Sequence, residues 1–370
     1  MALERLSIAP LWAHFKKLDW LFITSAMLLA AFGLLAIYSS SLRKGDFFNF
    51  EKQIIFLGIS FLLMIIISFF DYRILRNNSY LILIFYFLSI LLLVGLFFLA
   101  PEIRGKRGWY KFGLMSFDPI EPLKIVLIIL LAKYFSMRHI EMYKFWHIIF
   151  SGVYVLIPSL LIFFQPDMGA VLILIMVWLS ILFISGIKIR HFLILVLFGL
   201  LLLSFSWQFL LKDYQKNRVL SFIFPQDYLE TSWSQSQTKI AIGSGQIFGR
   251  GFTKGSQTQY GFLPVPHTDF IFSVIAEEFG LVGVSFLFLF YFVLIWRIIK
   301  IAIRSQSNFP RLFSSGFAVV LIAQIFINVG MNVGVLPVIG VYLPLVSYGG
   351  SGLIGTFVGF GILQSIRVKS

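Results

Sequence analysis

Cysteine does not occur anywhere in the 370 residues, which excludes disulfides and thiol chemistry. Charge is also scarce: 12% of residues are Asp, Glu, Lys or Arg, against 59% hydrophobic. A soluble domain is nearer half apolar and a quarter charged, so an integral membrane protein is expected. No polar stretch is long enough to form a separate soluble domain, and residues 1–370 are expected to form one polytopic membrane domain. The short apolar core of a cleavable signal peptide is missing too. A polar start with Arg5, Lys16 and Lys17 precedes a first apolar run too long for one, so an uncleaved anchor is expected. No internal repeat pairs the first half of the chain with the second, which counts against transporters built from inverted repeats.

What the chain does have is long apolar runs. A helical span needs roughly 20 apolar residues, and the runs at 20–39, 53–70, 80–99, 122–135, 146–164, 169–186, 192–210, 270–296, 313–331 and 350–366 predict an all-α, polytopic bundle of about ten transmembrane helices. The fourth run is short, and the turn before it is expected to dip into the bilayer. An even number of spans puts both termini on one side. The short loops of that side carry Lys16, Lys17, Arg73, Arg76, Lys133, Arg138, Lys144, Lys188, Arg190, Arg297, Lys300, Arg304, Arg311, Arg367 and Lys369, so both termini are expected in the cytoplasm. The net charge of +14 is scattered over loops rather than gathered in a stripe. Anionic membrane lipids or a phosphorylated lipid substrate fit that pattern, and nucleic acid does not.

The elaborate loops fall on the other face: 100–121, the turn Gln165–Gly169, 211–268 and 332–349. The long one, an extracytoplasmic loop between spans seven and eight, is expected to be functional, because long loops are uncommon in compact domains otherwise. Within it, Trp233 to Ile242 reads as a short helix on the membrane surface. Folding alone gives polar features no reason to choose one face, whereas a binding site opening there does.

Each polar feature has two readings. Glu121 and Lys124, three apart, share a helical face, either as an ion pair or with Glu121 holding Lys124 charged for a phosphate. Asp167 could cap the sixth span or belong to a site. Arg218 either snorkels to headgroups or grips pyrophosphate as a fork, and Lys239 is a second cationic candidate. The glycines from Gly243 to Gly255 follow no strand, so no nucleotide site is expected. Asp269, at the mouth of the eighth span, could cap it. Alternatively it is a general base, since a carboxylate partly out of water is a competent proton acceptor near neutral pH. His267 beside it reads as a loop residue. Glu277 and Glu278, about 12 Å further along the helix, are expected in a buried hydrogen-bonded network rather than a proton path. Gln324, Asn328 and Asn332 form a stripe expected to bond to neighbouring helices.

Several of these words resemble one family. His267-Thr-Asp-Phe-Ile-Phe272, Ala276-Glu-Glu-Phe-Gly280, Gln165-Pro-Asp-Met-Gly169, Tyr214-Gln215 with Arg218, and Leu343-Pro-Leu-Val-Ser-Tyr-Gly-Gly-Ser351 look like the SEDS proteins (shape, elongation, division and sporulation). The family's Gln-Pro-Ser-Glu-x-x-Lys is present as Asp118-Pro-Ile-Glu-Pro-Leu-Lys124, with Asp118 and Ile120 departing. Arg107 is displaced by one from the basic residue before Trp109, and Val265 stands where the family commonly has Glu. Leu18-Asp-Trp20, Tyr38-Ser-Ser40 and Lys254–Gln259 favour the elongation branch over the division branch. The resemblance covers Leu18 to Ile366. It implies a peptidoglycan glycosyltransferase of the bacterial inner membrane that polymerises lipid II on the outer face. Asp269 would be the catalytic base, with Glu121, Lys124, Asp167, Arg218 and Lys239 at the substrate. It implies a class B penicillin-binding protein and the elongation machinery as partners, and leaves open whether a divalent metal takes part. A lipid II flippase and a non-catalytic scaffold for the transpeptidase are the alternatives.

Overall fold

A computed structural model describes residues 9–42, 45–102, 107–113, 115–137, 146–209, 216, 219–220, 222–224 and 230–369. Among the described residues these elements follow in chain order: α1 (Ala9–Lys17), α2 (Trp20–Leu42), α3 (Phe48–Phe69), α4 (Arg73–Asn77), α5 (Ser79–Leu99), β1 (Tyr110–Phe112), β2 (Met115–Phe117), α6 (Ile120–Ser136), α7 (Trp146–Phe164), α8 (Met168–Ile184), α9 (Ile189–Phe209), α10 (Glu230–Gly245), α11 (Ser256–Gln259), α12 (Ile271–Arg304), α13 (Asn308–Val333) and α14 (Gly350–Lys369).

Among the described residues eight helices are long and apolar enough to cross a membrane: α2, α3, α5, α7, α9, α12, α13 and α14. Helix α8 is a shorter apolar helix, and α6, 17 residues long, carries Glu121, Lys124 and Lys133. These ten correspond to the ten expected runs, and the chain is a polytopic, mostly helical membrane protein. Two of them show the lipid logic plainly. Helix α13 is largely buried, whereas none of the apolar window of α9 is buried in the protein. An apolar helix with no fully buried residue in such a window needs hydrocarbon around most of its surface.

Helices α6, α8 and α13 pack together at the centre, α3 lies along α14, and α2 lies along α12. The α3–α14 contact is close because Gly361 faces Met64 and Ile67, where a Cβ would collide with the Met64 carbonyl. Small residues at such crossings let backbones approach.

The eighth span differs from the single apolar helix the sequence suggests. Gly280 (φ 63°, ψ −161°) interrupts α12, in a region of backbone space that is essentially reserved for glycine. Residues 281–304 alone suffice to cross a membrane, at 1.5 Å per residue. The preceding segment, 271–279, runs instead between helix ends of one face. It starts beside Asn332 at the end of α13 and finishes with Glu278 accepting a hydrogen bond from Ser39 near the end of α2. The two glutamates therefore lie level with the ends of other helices and not inside the span.

The glycine-rich stretch fills the break. Arg250 N and Gly251 N donate to the Glu277 and Glu278 carbonyls at 2.8 and 3.1 Å. Leu281 N and Val282 N donate to the Gln246 and Ile247 carbonyls at 2.9 and 3.0 Å. Backbone groups freed by a broken helix must find partners inside the protein, and this loop supplies them. Helix α10, expected over 233–242, covers Glu230–Gly245 and packs on α12 and α13. Among the described residues the hairpin before α6 is the one departure from all-α; Tyr110 pairs with Phe117 and Phe112 with Met115.

Candidate functional site

One end of the bundle, opposite the end where α1 and α14 carry the termini, encloses a cavity of about 710 Å³. Its walls come from the hairpin (Trp109, Lys111, Ser116), the start of α6 (Asp118, Glu121, Lys124), the Pro166–Asp167 turn, the segment Val265 to Asp269, Gln324 of α13, and the loop Ile339 to Ser351. Residues far apart in sequence thus meet in one space, and Glu121, Lys124, Asp167 and Asp269 all line it.

Lys124 Nζ lies 2.9 Å from Glu121 Oε2, with side chains only 7% and 8% exposed. Tyr342 completes the group. Its hydroxyl donates to Glu121 Oε2 at 2.7 Å and accepts from Lys124 Nζ at 3.4 Å. Burial, then the Glu121 carboxylate, pushes the Tyr342 phenol well up, so it stays protonated and keeps donating. An ammonium has three donors; Glu121 and Tyr342 take two, and Lys124 faces the cavity. The ion pair and the ligand-facing cation are therefore compatible readings of the same residue.

Asp167 caps a helix and faces the cavity at once. Its carboxylate caps α8, accepting from Ala170 N at 3.1 Å, and it lines the cavity.

Asp269 is not at the cap position of α12. The cap position is Phe270, with no side-chain cap bond. The backbone around Asp269 is pinned from several sides. Asn328 Nδ2 and Asn332 Nδ2 donate to its carbonyl at 3.0 and 2.9 Å. Asn328 Nδ2 also reaches the Val341 carbonyl at 2.8 Å. Ser347 Oγ donates to the Thr268 carbonyl at 2.6 Å and accepts from Leu343 N at 2.8 Å. Gly340 packs against the Asp269 carboxylate. The stripe on α13 thus divides: Asn328 and Asn332 hold the Asp269 backbone, while Gln324 lines the cavity. Beside it, Val265 adopts φ 47°, a costly conformation for a β-branched residue.

His267 is outside the cavity lining, its Nδ1 2.7 Å from Ser40 Oγ. Glu277 is fully engaged by α11, accepting from Gln257 N at 2.7 Å, Thr258 N at 3.0 Å and Thr258 Oγ1 at 2.8 Å, which is the buried network expected of it. Lys239 is not brought to the cavity: it is exposed on α10, with its end lying over Gly334. The long loop turns it toward α13 instead. Arg218 lies outside the described residues. Tyr342, Lys111 and Trp109 carry no signal beyond their loops and enter the site through folding alone. Among the described residues no group of three His, Asp or Glu converges to hold a metal.

The chain as a whole is similar to several known proteins. The model of the cell cycle protein family FTSW_RODA_SPOVE matches residues 19–370. Peptidoglycan glycosyltransferase MrdB of Escherichia coli is 36% identical over 352 residues, covering 95% of this chain and 93% of that one. Stage V sporulation protein E of Bacillus subtilis is 32% identical over 359 residues, covering 94% and 96%. Among solved structures, the rod shape determining protein RodA of Thermus thermophilus superimposes with a TM-score of 0.71 at 30% identity, covering 95% and 96%. A chain of a peptidoglycan synthase complex, solved for its coordination of polymerization and crosslinking, reaches 0.82 at 31% identity, covering 95% and 97%.

Proposed function

Because the chain belongs to the FtsW/RodA/SpoVE family, the SEDS proteins, we propose that it is a peptidoglycan glycosyltransferase of cell elongation, resident in the bacterial inner membrane. The observation that carries this reading is the shared cavity. A carboxylate on a pinned backbone, Asp269, lines the same space as a buried cation, Lys124, held by Glu121 and Tyr342.

The substrate is lipid II, a disaccharide-pentapeptide on undecaprenyl pyrophosphate. Asp269 takes the proton of the acceptor sugar's 4-hydroxyl as that oxygen bonds to the donor's anomeric carbon. The anomeric C–O bond to pyrophosphate breaks, and the lipid pyrophosphate leaves with the electron pair. A single displacement inverts the anomeric centre and needs only one base. Charge gathering on the leaving pyrophosphate is met by Lys124, which lines the cavity; a fixed cation aimed at developing charge stabilises the transition state more than the ground state. Arg218 is a second candidate for that charge, whereas Lys239, turned toward Gly334, is not. Asp167 orients the sugar or pyrophosphate portion near the Glu121–Lys124 pair. Both termini lie in the cytoplasm and the cavity opens outward, an orientation that the basic short loops on the side of the termini support. The partner is a class B penicillin-binding protein, which crosslinks the strands made here.

A flippase would need a continuous polar path between the two ends of the bundle, whereas the groups that line this cavity lie at one end. The deciding experiment is purified protein with labelled lipid II, alone and with its transpeptidase. Glycan polymer is the expected product; its absence in both mixtures, with the protein folded, would sink the enzyme reading.

A further inference from the structure

The opposite end of the bundle holds a second cavity that the reaction does not use. It encloses about 440 Å³ and is lined by Lys16, Lys17, Arg297, Lys300, Arg304 and Arg367 around one carboxylate, Asp19. Helix α14 connects the two sites. Gly350 lines the first and Arg367 the second, about 25 Å apart along the helix at 1.5 Å per residue. They therefore face opposite leaflets.

Asp19 is 1% exposed and organises the basic group. Arg297 reaches its Oδ2 through Nε at 2.6 Å and Nη2 at 2.5 Å, and Arg367 Nη1 donates to the same oxygen. Arg367 Nε is held by the Lys17 carbonyl at 3.3 Å. Both guanidinium forks are thereby fixed in place. Arg297, Lys300 and Arg304 follow at helical spacing on one face of α12, where like charges repel. Among the described residues no carboxylate other than Asp19 pairs with this group. One carboxylate does not balance six cations, and the excess positive charge suits an anionic ligand.

The depth of the cavity indicates which anion. Trp20 and Trp296, next in sequence to Asp19 and Arg297, are 49% and 56% exposed, and Ile303 is 77% exposed. Half-exposed tryptophans beside basic residues mark the level where headgroups meet acyl chains. A ligand there can put its phosphate among the cations and its chains on the apolar flank. We propose that this cavity binds the phosphate headgroup of an anionic phospholipid, in the leaflet opposite the polymerising site.

The test is lipid retention. Delipidated full-length protein is exposed to equal amounts of phosphatidylglycerol and phosphatidylcholine, and bound lipid is counted by native mass spectrometry. The expected result is a several-fold preference for phosphatidylglycerol that falls to near parity in Lys300→Gln/Arg304→Gln. It should persist in Lys188→Gln/Arg190→Gln, which removes the same charge elsewhere on that face. Should the first double variant fail to fold, Lys16→Gln on the exposed surface of α1 carries the test and should lower the preference in part. No preference in the unaltered protein, or equal loss in both double variants, would overturn the proposal. So would inorganic phosphate at millimolar concentration displacing the lipid, which would make the site one for a free anion.

Discussion

At the scale of single residues, the site rests on two groups with different tests. Asp269→Asn keeps size and shape, and α12 needs no cap from this position. Folding and partner binding should survive while polymerisation falls by about 10²–10⁴-fold, the usual worth of a general base. Near-normal polymer would remove Asp269 from the chemistry. His267 would be a poor replacement, since its ring is turned to Ser40. Lys124 is harder, because breaking a buried pair leaves a stranded charge and costs about 3–5 kcal/mol. Lys124→Ala is therefore expected to lower both thermal stability and polymerisation. Adding Glu121→Ala removes the stranded carboxylate, so stability should recover substantially while activity stays low. Recovery of both in the double variant would make the pair structural, and the pyrophosphate would have to be held elsewhere.

At the scale of elements, the decisive piece is the broken α12. The first segment carries the chain from the Asp269 backbone, held by Asn328 and Asn332, to Glu278 beside Ser39. The loop from Gln246 to Gly251 is stitched across the break. Gly280→Ala would put a Cβ against Gly249 N and the Ile247 carbonyl, in a backbone conformation that disfavours side chains by about 1–3 kcal/mol before any collision. A lowered melting temperature with loss of polymer is expected, and the loop 246–251 should become more accessible to protease. A variant with unchanged melting temperature would mean that the segment tolerates a continuous helix, and that the break does not position Asp269.

At the scale of the whole molecule, the prediction is topological. The chain has no cysteine, so single introduced thiols can be labelled without background. Lys254→Cys, exposed in the loop beside the glycine-rich stretch, should react with a membrane-impermeant maleimide in intact spheroplasts. Gln306→Cys, exposed between α12 and α13, should react only after the membrane is opened. The reverse pattern would place the polymerising cavity in the cytoplasm and end the outward-facing reading.

The sequence by itself determined the membrane class, the ten apolar segments and the face on which the unusual residues gather. These follow from local properties: length, apolarity, and the alternation of sides with each crossing. The Glu121–Lys124 pair was legible because both residues lie on one helix at a spacing fixed by its geometry. Tertiary structure alone decided the rest. Tyr342 reaches Glu121 across 221 positions of chain, and no pattern within the loop it occupies signals that contact. Lys239 carries the right charge in the right loop, yet the packing of α10 on α13 takes it away from the cavity. The break at Gly280 was hidden because the apolar run continues across it. A glycine in such a run reads equally as a tolerated residue or a break, until a distant loop offers its backbone to the groups the break exposes.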